Sequence, residues 1–255
     1  MMKRILQFVF TGIIVYSIVN ICVYFFVLHN AAAEYTQLQM NAVPSMTEED
    51  EYTDDYVYTP LCSDISIDYQ KMKSESADYI GWLNIKDTKI SYPVMFCEGD
   101  NDFYLHHLPN GTKNFAGSLF LDGNSTGIDS ENLIIYGHNM KNGSMFGRLK
   151  KFTDEEYFEN HPYSELHTER GIRYYLIFSV RKVLKSDAKT FVVDGFQASD
   201  YAENAISENS FSYKTLTRGF DFDEIAAHTT PQIITLSTCT GDSSYRLVVN
   251  AVRVK

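Results

Sequence analysis

The feature that most constrains this chain is its N-terminus, where residues 5–28 run for 24 positions without a charged side chain, directly after Lys3 and Arg4. As a helix rising about 1.5 Å per residue, such a run extends about 36 Å and crosses a hydrocarbon core of about 30 Å. A cleavable signal peptide is the competing reading, and Ala31, Ala32 and Ala33 offer small residues for cleavage. The apolar region of a signal peptide is only about 7–15 residues long, well short of this run. The segment also lacks the polar face of a core helix. The sequence therefore predicts an uncleaved transmembrane anchor over 5–28.

Charge sets the orientation. Lys3 and Arg4 precede the anchor, and neither Lys nor Arg recurs until Lys71. Basic residues stay on the cytoplasmic side, so residues 1–4 are expected inside and everything from 29 onward outside the cell membrane. The chain carries a formal net charge of −11, and all 33 of its acidic residues lie beyond the anchor. An acidic exported part disfavours nucleic acid as a partner, because that grip needs a basic face. With 44% hydrophobic and 22% charged residues, the composition is that of a globular protein and excludes whole-chain disorder.

Residues 29–62 read as an acidic stalk, with Glu48, Glu49, Asp50, Glu51, Asp54 and Asp55 crowded together and few aliphatic residues to bury. A folded domain is expected over 63–255. It opens with a helix across about 63–79, where Ile65, Ile67, Tyr69, Met72 and Tyr79 are available to pack. Short runs rich in Ile, Val, Tyr and Phe then recur between turn residues, at 81–85, 89–94, 117–121, 132–136, 172–184, 232–238 and 245–254. No long helix alternates with each strand, so a doubly wound parallel sheet is disfavoured. The pattern predicts a mainly β domain, a closed barrel or a sandwich. Two helical insertions interrupt it, one capped by Thr153 with Glu156 and one by Ser199.

Chemistry concentrates near the C-terminus. The run 232–238 ends on Cys239, residues 240–244 have turn composition, and Tyr245 and Arg246 open the returning strand. If these strands pair, Cys239 and Arg246 sit on neighbouring strands about 5 Å apart. A thiol beside a guanidinium suits a nucleophile with an oxyanion partner, though a packing Cys and an edge-capping Arg would look the same. Three cysteines, Cys62, Cys97 and Cys239, lie beyond the anchor, so an odd thiol is unpaired within the monomer, and a Cys62–Cys97 pairing stays open. His138 breaks the strand 132–136 with Gly137 and Asn139, at a strand end where a general base would be needed. It precedes Cys239 by 101 residues, and spacing alone does not bring the two together.

The segment Thr235-Leu236-Ser237-Thr238-Cys239, with Arg246 seven positions on, resembles the active-site signature of sortases in its class B form. Tyr136-Gly137-His138-Asn139 is similar to the family's histidine segment, and residues 101–107 and 117–122 resemble two further sortase stretches. The likeness spans about 79–255 in the family's order, and the anchor and the long 185–231 connection fit class B as well.

The resemblance implies a closed eight-stranded β-barrel and a cysteine transpeptidase of Gram-positive bacteria. Such an enzyme cuts a sorting signal after Thr near a secreted protein's C-terminus. It then passes the acyl group to an amine of a peptidoglycan precursor or of a pilin. Carried over residue by residue, Cys239 is the nucleophile, His138 the general acid/base and Arg246 the oxyanion and positioning group. Asn101, Leu105, Tyr136 and Ser237 match positions lining the peptide groove. The residues show no metal-ligand spacing, and no metal or cofactor is expected. The rival readings are a secreted cysteine peptidase or amidase, an L,D-transpeptidase and an inactive surface-binding module. An L,D-transpeptidase would place a His beside the Cys, which this chain does not.

Overall fold

The computed structural model describes residues 2–40, 42–44, 58, 63–207 and 216–255. Helix α1 (Met2–Gln39) is followed by β1 (Ala42–Pro44), β2 (Ile65–Ile67) and α2 (Tyr69–Glu75). Strands β3 (Tyr79–Asn84), β4 (Ser91–Phe96), β5 (Leu119–Leu121) and β6 (Asn132–Tyr136) come next. A 3-10 helix (Phe146–Thr153) leads to α3 (Glu155–Asn160), β7 (Tyr163–Thr168) and the long β8 (Gly171–Leu184). Then come α4 (Ala198–Ser207), β9 (Leu216–Thr217), α5 (Phe222–His228) and the closing hairpin, β10 (Ile233–Cys239) with β11 (Tyr245–Arg253).

Eight strands close a barrel in the order β11-β10-β6-β5-β4-β3-β7-β8, because β8 pairs back onto β11. The length of β8 makes this closure possible. Its first half pairs with β7, its second half with β11, and β9 adds to it beyond the end of β7. Period-two alternation divides the side chains of the wall. Leu133, Ile135, Ile234, Leu236, Leu247 and Val249 turn into the main core with Trp82 and Leu83. Ile233, Val252 and Phe178 turn outward and are covered by Tyr201, Ala205 and Ile225 of α4 and α5. Two neighbouring pairs are parallel, β4 with β5 and β6 with β10. Parallel neighbours need a crossover rather than a tight turn. The connections 97–118 and 137–232 are those crossovers, and both return to the wall formed by β5, β6 and β10.

Several expected elements differ. The helix expected over 63–79 is instead the short β2 and the seven-residue α2, capped by Asp68, whose carboxylate accepts from the Lys71 N–H. The cap of α3 is Asp154, accepting from the Tyr157 N–H, while the Thr153 hydroxyl donates to the Lys150 carbonyl. Helix α4 starts at Ala198, so Ser199 lies inside its first turn. Strand β7 has no counterpart in the sequence pattern, since Ser164, Glu165 and His167 make it look polar. These side chains are nonetheless buried. The Glu165 carboxylate accepts from Ser63 at 2.6 Å and Asn84 at 3.1 Å, and lies 3.2 Å from His167 Nε2.

The stalk expected from residue 29 does not begin there. Helix α1 continues to Gln39, and Ala31, Tyr35 and Leu38 are buried on the domain at helical spacing. The Tyr35 hydroxyl donates to the Gly117 carbonyl at 2.6 Å, and Gln39 Nε2 donates to the Ser91 carbonyl at 2.9 Å. Among the stalk residues, 41, 45–57 and 59–62, which include the acidic run and Cys62, lie outside the described residues.

Candidate active site

The last hairpin positions two of the three predicted chemical groups. In the β10–β11 register Cys239 stands opposite Arg246. Directly opposed residues of an antiparallel pair share a face of the sheet, so thiol and guanidinium emerge together. The connecting turn is held tight by its own side chains. The Thr240 hydroxyl donates to the Asp242 carbonyl at 2.7 Å, and the Asp242 carboxylate accepts from the Ser244 N–H at 2.8 Å. Arg246 Nη1 donates to the carbonyls of Tyr245, at 3.0 Å, and Ser243, at 3.2 Å, which fixes the guanidinium at the mouth of the turn. Cys239 is a free thiol and exposed.

The third group arrives through the parallel pair. Ser237 registers with Tyr136, and the pairing continues past the end of β6. The Gly137 N–H donates to the Ser237 carbonyl at 3.2 Å, and the buried Thr238 hydroxyl donates to the Gly137 carbonyl at 2.7 Å. Asn139 Nδ2 then donates to the Cys239 carbonyl at 2.8 Å. His138 is thereby held alongside Cys239, giving one row, His138–Cys239–Arg246, across the end of three adjacent strands. Gly137 makes the exit from β6 sterically feasible: a Cβ there would come within 2.4 Å of Leu119 and 2.7 Å of Phe146.

His138 Nε2 lies 2.8 Å from the Leu105 carbonyl. A carbonyl only accepts, so Nε2 carries the proton in this bond and Nδ1 is left as the nitrogen that can exchange one. Leu105 therefore acts on the imidazole through its backbone. The remaining predicted groove residues are distributed around this row. Tyr136 and Ser237 form the next row down on the same face. The Tyr136 hydroxyl donates to Asp122 Oδ2 at 2.8 Å, and its phenol is pushed well above the ordinary range by burial and then by that carboxylate. The Ser237 hydroxyl is buried and, among the described residues, has no hydrogen-bond partner. Asn101 is exposed, and both ends of its amide are used: Nδ2 donates to Asp122 Oδ1 at 3.2 Å and Oδ1 accepts from the Gly123 N–H at 2.7 Å. Its visible work is to hold the 122–123 turn.

Three contributors lay outside the sequence reading. Asn139 and Thr238 bracket the His–Cys row from either strand, and their only sequence signal is adjacency to His138 and Cys239. Phe191, from the 185–231 connection, stacks on Tyr136 with ring centroids 6.4 Å apart, on one bank of the predicted groove. That bank is pinned to the wall by a buried polar ladder. Asn250 Nδ2 donates to the hydroxyls of Thr235 and Tyr201, and the Thr235 hydroxyl donates to Asn132 Oδ1. Arg181 donates to Thr190, whose hydroxyl donates to Asp187. Among the described residues, no three His, Cys, Asp or Glu side chains converge to hold a metal ion.

Comparison with known proteins gives a consistent result. A family model described as the sortase domain matches residues 83–254. Sortase B of Listeria monocytogenes is 33% identical over 199 residues, 76% of this chain and 76% of the relative. Among solved structures, Clostridium perfringens sortase B superposes with a TM-score of 0.62 at 32% identity, covering 73% of this chain and 99% of that one. Sortase B from Bacillus anthracis, in complex with AAEK1, gives a TM-score of 0.66 at 29% identity, covering 91% and 99%.

Proposed function

The chain belongs to the sortase family, class B, whose members are cysteine transpeptidases, and from that premise we propose the reaction and the residues that carry it. The enzyme cleaves a sorting signal after Thr near the C-terminus of a secreted protein. It joins the new acyl end to an amine of a peptidoglycan precursor or a pilin, while α1 anchors it with the catalytic domain outside the membrane. The observation that supports this most is the row His138–Cys239–Arg246, built by β6, β10 and β11 at one rim of the barrel.

In the first step the Cys239 thiol gives its proton to His138 and its sulfur attacks the Thr carbonyl carbon, forming a C–S bond and placing negative charge on the carbonyl oxygen. The N–H donors of Arg246 stabilise that charge, and the planar, fixed guanidinium aims its donors at the tetrahedral oxyanion better than a point charge does. Collapse breaks the C–N bond, and the proton on His138 goes to the leaving amine. In the second step the acceptor amine attacks the thioester and His138 takes its proton; the C–S bond then breaks and His138 returns that proton to the sulfur, so that Cys239 leaves as a thiol. Tyr136 and Ser237 lie beneath this row as the floor of the groove.

Quenched sorting-signal peptides incubated with the full chain in detergent, with and without an amine acceptor, test this reading. Cleavage at one bond, an acyl adduct on Cys239 and a new amide formed only with the amine are expected, and Cys239→Ala should abolish all three. Hydrolysis alone, whatever the amine concentration, would make the enzyme a peptidase. A Cys239 that forms no adduct across a panel of signals would overturn the proposal.

A further inference from the structure

The structure points to a second membrane contact besides the anchor: we infer that the 108–116 loop rests in the interfacial layer of the bilayer, with Phe115 inserted beside the outer end of α1. The inference rests on reading α1 as a membrane span. Its residues support that reading, because none of the side chains from Met2 to Phe26 is buried by protein. Two of the polar ones satisfy themselves within the helix, as hydrocarbon requires. Thr11 donates to the Gln7 carbonyl at 2.9 Å and Asn20 to the Tyr16 carbonyl at 2.8 Å.

Counted from Ile5 at about 1.5 Å per residue, a hydrocarbon core of about 30 Å is spanned after roughly 20 residues, at Tyr24. Tyr24, Phe25 and Phe26 are therefore placed where aromatic rings collect at the membrane boundary. Phe115 reaches that level from the catalytic domain. Its ring stacks on Tyr24 with centroids 5.2 Å apart and planes 13° apart, yet it remains 36% exposed. One turn further out, Asn114 Nδ2 donates to the Val27 carbonyl at 3.1 Å, which fixes the loop at this height. Lys113, exposed on the same loop, is placed to meet lipid phosphates. Helix α1 continues from this level without a break to Ala31, Tyr35 and Leu38, which are buried on the domain.

The same loop reaches the reaction centre. The Asn114 N–H donates to the His106 carbonyl at 2.8 Å, and the adjoining Leu105 carbonyl is the group bonded to His138. The groove is thereby held close to the bilayer, where an acceptor carried on a lipid would present its amine.

Trp82 is the single Trp and is fully buried, so one added Trp can be read against a constant background. The full chain is reconstituted into phosphatidylcholine–phosphatidylglycerol vesicles whose acyl chains are brominated near either the headgroup or the methyl end. Three variants are compared: Phe115→Trp, Tyr16→Trp in the middle of α1, and Ile206→Trp on the exposed face of α4. A ring about 5–10 Å into the boundary should lose about half of its added emission to the shallow bromines and little to the deep ones. Tyr16→Trp should respond mainly to the deep bromines and Ile206→Trp to neither. Quenching of Tyr16→Trp without quenching of Phe115→Trp overturns the inference while leaving the span intact. Absence of quenching at both removes the span and the loop contact together.

Discussion

The bond between His138 and the Leu105 carbonyl makes Gly117 a test of how the site is held. Gly117 has φ +57, and a Cβ there would meet the carbonyl oxygens of Leu105 at 2.5 Å and Tyr104 at 2.7 Å, both backbone atoms that no rotamer change can move. Gly111, in the same loop, has φ +78 and, among the described residues, nothing within 4 Å of where its Cβ would be. The two Ala variants therefore separate backbone strain from displacement of the Leu105 carbonyl. Gly111→Ala should cost only the left-handed conformation, about 1–2 kcal/mol. Gly117→Ala adds an overlap worth about 1–3 kcal/mol. For a domain of this size each kcal/mol lowers Tm by about 2–4 °C. Thermal unfolding should then fall by about 5 °C for Gly111→Ala and about 10 °C for Gly117→Ala. Turnover of a quenched sorting peptide, measured well below either Tm, separates them further. A carbonyl shift that misplaces the imidazole by about 1 Å costs up to about 100-fold, whereas Gly111→Ala should turn over normally. Equal activity in the two variants would refute the claim that Leu105 positions His138.

Other perturbations follow from the same contacts. Arg246→Lys keeps the charge but loses the planar fork, so kcat should fall about 100-fold with little change in Tm, and near-normal turnover would remove the assigned role. Tyr201→Phe deletes a hydroxyl bonded to Thr190, Thr235 and Asn250, which should cost about 1–3 kcal/mol in denaturant unfolding. Glu165 is opposed by burial, but hydrogen bonds from His167, Ser63 and Asn84 outweigh it and hold its carboxyl below the ordinary 4.5. A carboxylate depressed on folding contributes stability above its unfolded pKa, and that contribution fades as pH falls through the folded value. Glu165→Gln should therefore lose about 1.5–3 kcal/mol at neutral pH, with the gap to the parent closing progressively below pH 4.5; a gap independent of pH would show that the charge contributes nothing.

How much of the fold could be read from the chain depended on whether each strand buries apolar side chains. Strands β6, β8, β10 and β11 are near-continuous runs of Ile, Val, Leu and Tyr because both faces of this wall are covered, and their limits fall within a residue or two of the expected ones. Strand β7 was invisible for the opposite reason. Its buried face is satisfied by polar pairing, with Glu165 and His167 closing on Ser63 and Asn84, and such a partnership leaves no periodic apolar trace. The expected anchor ends at residue 28, where the apolar run meets His29 and Asn30, but the helix does not end with it. The stripe Ala31, Tyr35, Leu38 continues regardless and docks on the barrel.

Legibility of the site divides along the same physical line. A hairpin has local signals, so the Cys239–Arg246 juxtaposition follows from one strand, one turn and the next strand. A parallel pair has none, since β6 and β10 are joined by the 137–232 crossover and nothing near His138 encodes its partner strand. The crossovers that hide this relation also build the groove. The 97–118 connection delivers the Leu105 carbonyl to His138, and the 137–232 connection delivers Phe191 to Tyr136. The two banks thus rest on loops, while the row His138–Cys239–Arg246 rests on strand register. Exchanging loop residues should therefore alter which peptide is accepted, and loosening the register should alter the rate for every peptide. Thr238→Val separates the two effects, because it removes the Thr238–Gly137 bond inside the register and touches neither bank. A lower kcat with an unchanged ranking of sorting peptides is the expected result, and a changed ranking with unchanged kcat would contradict this division of labour.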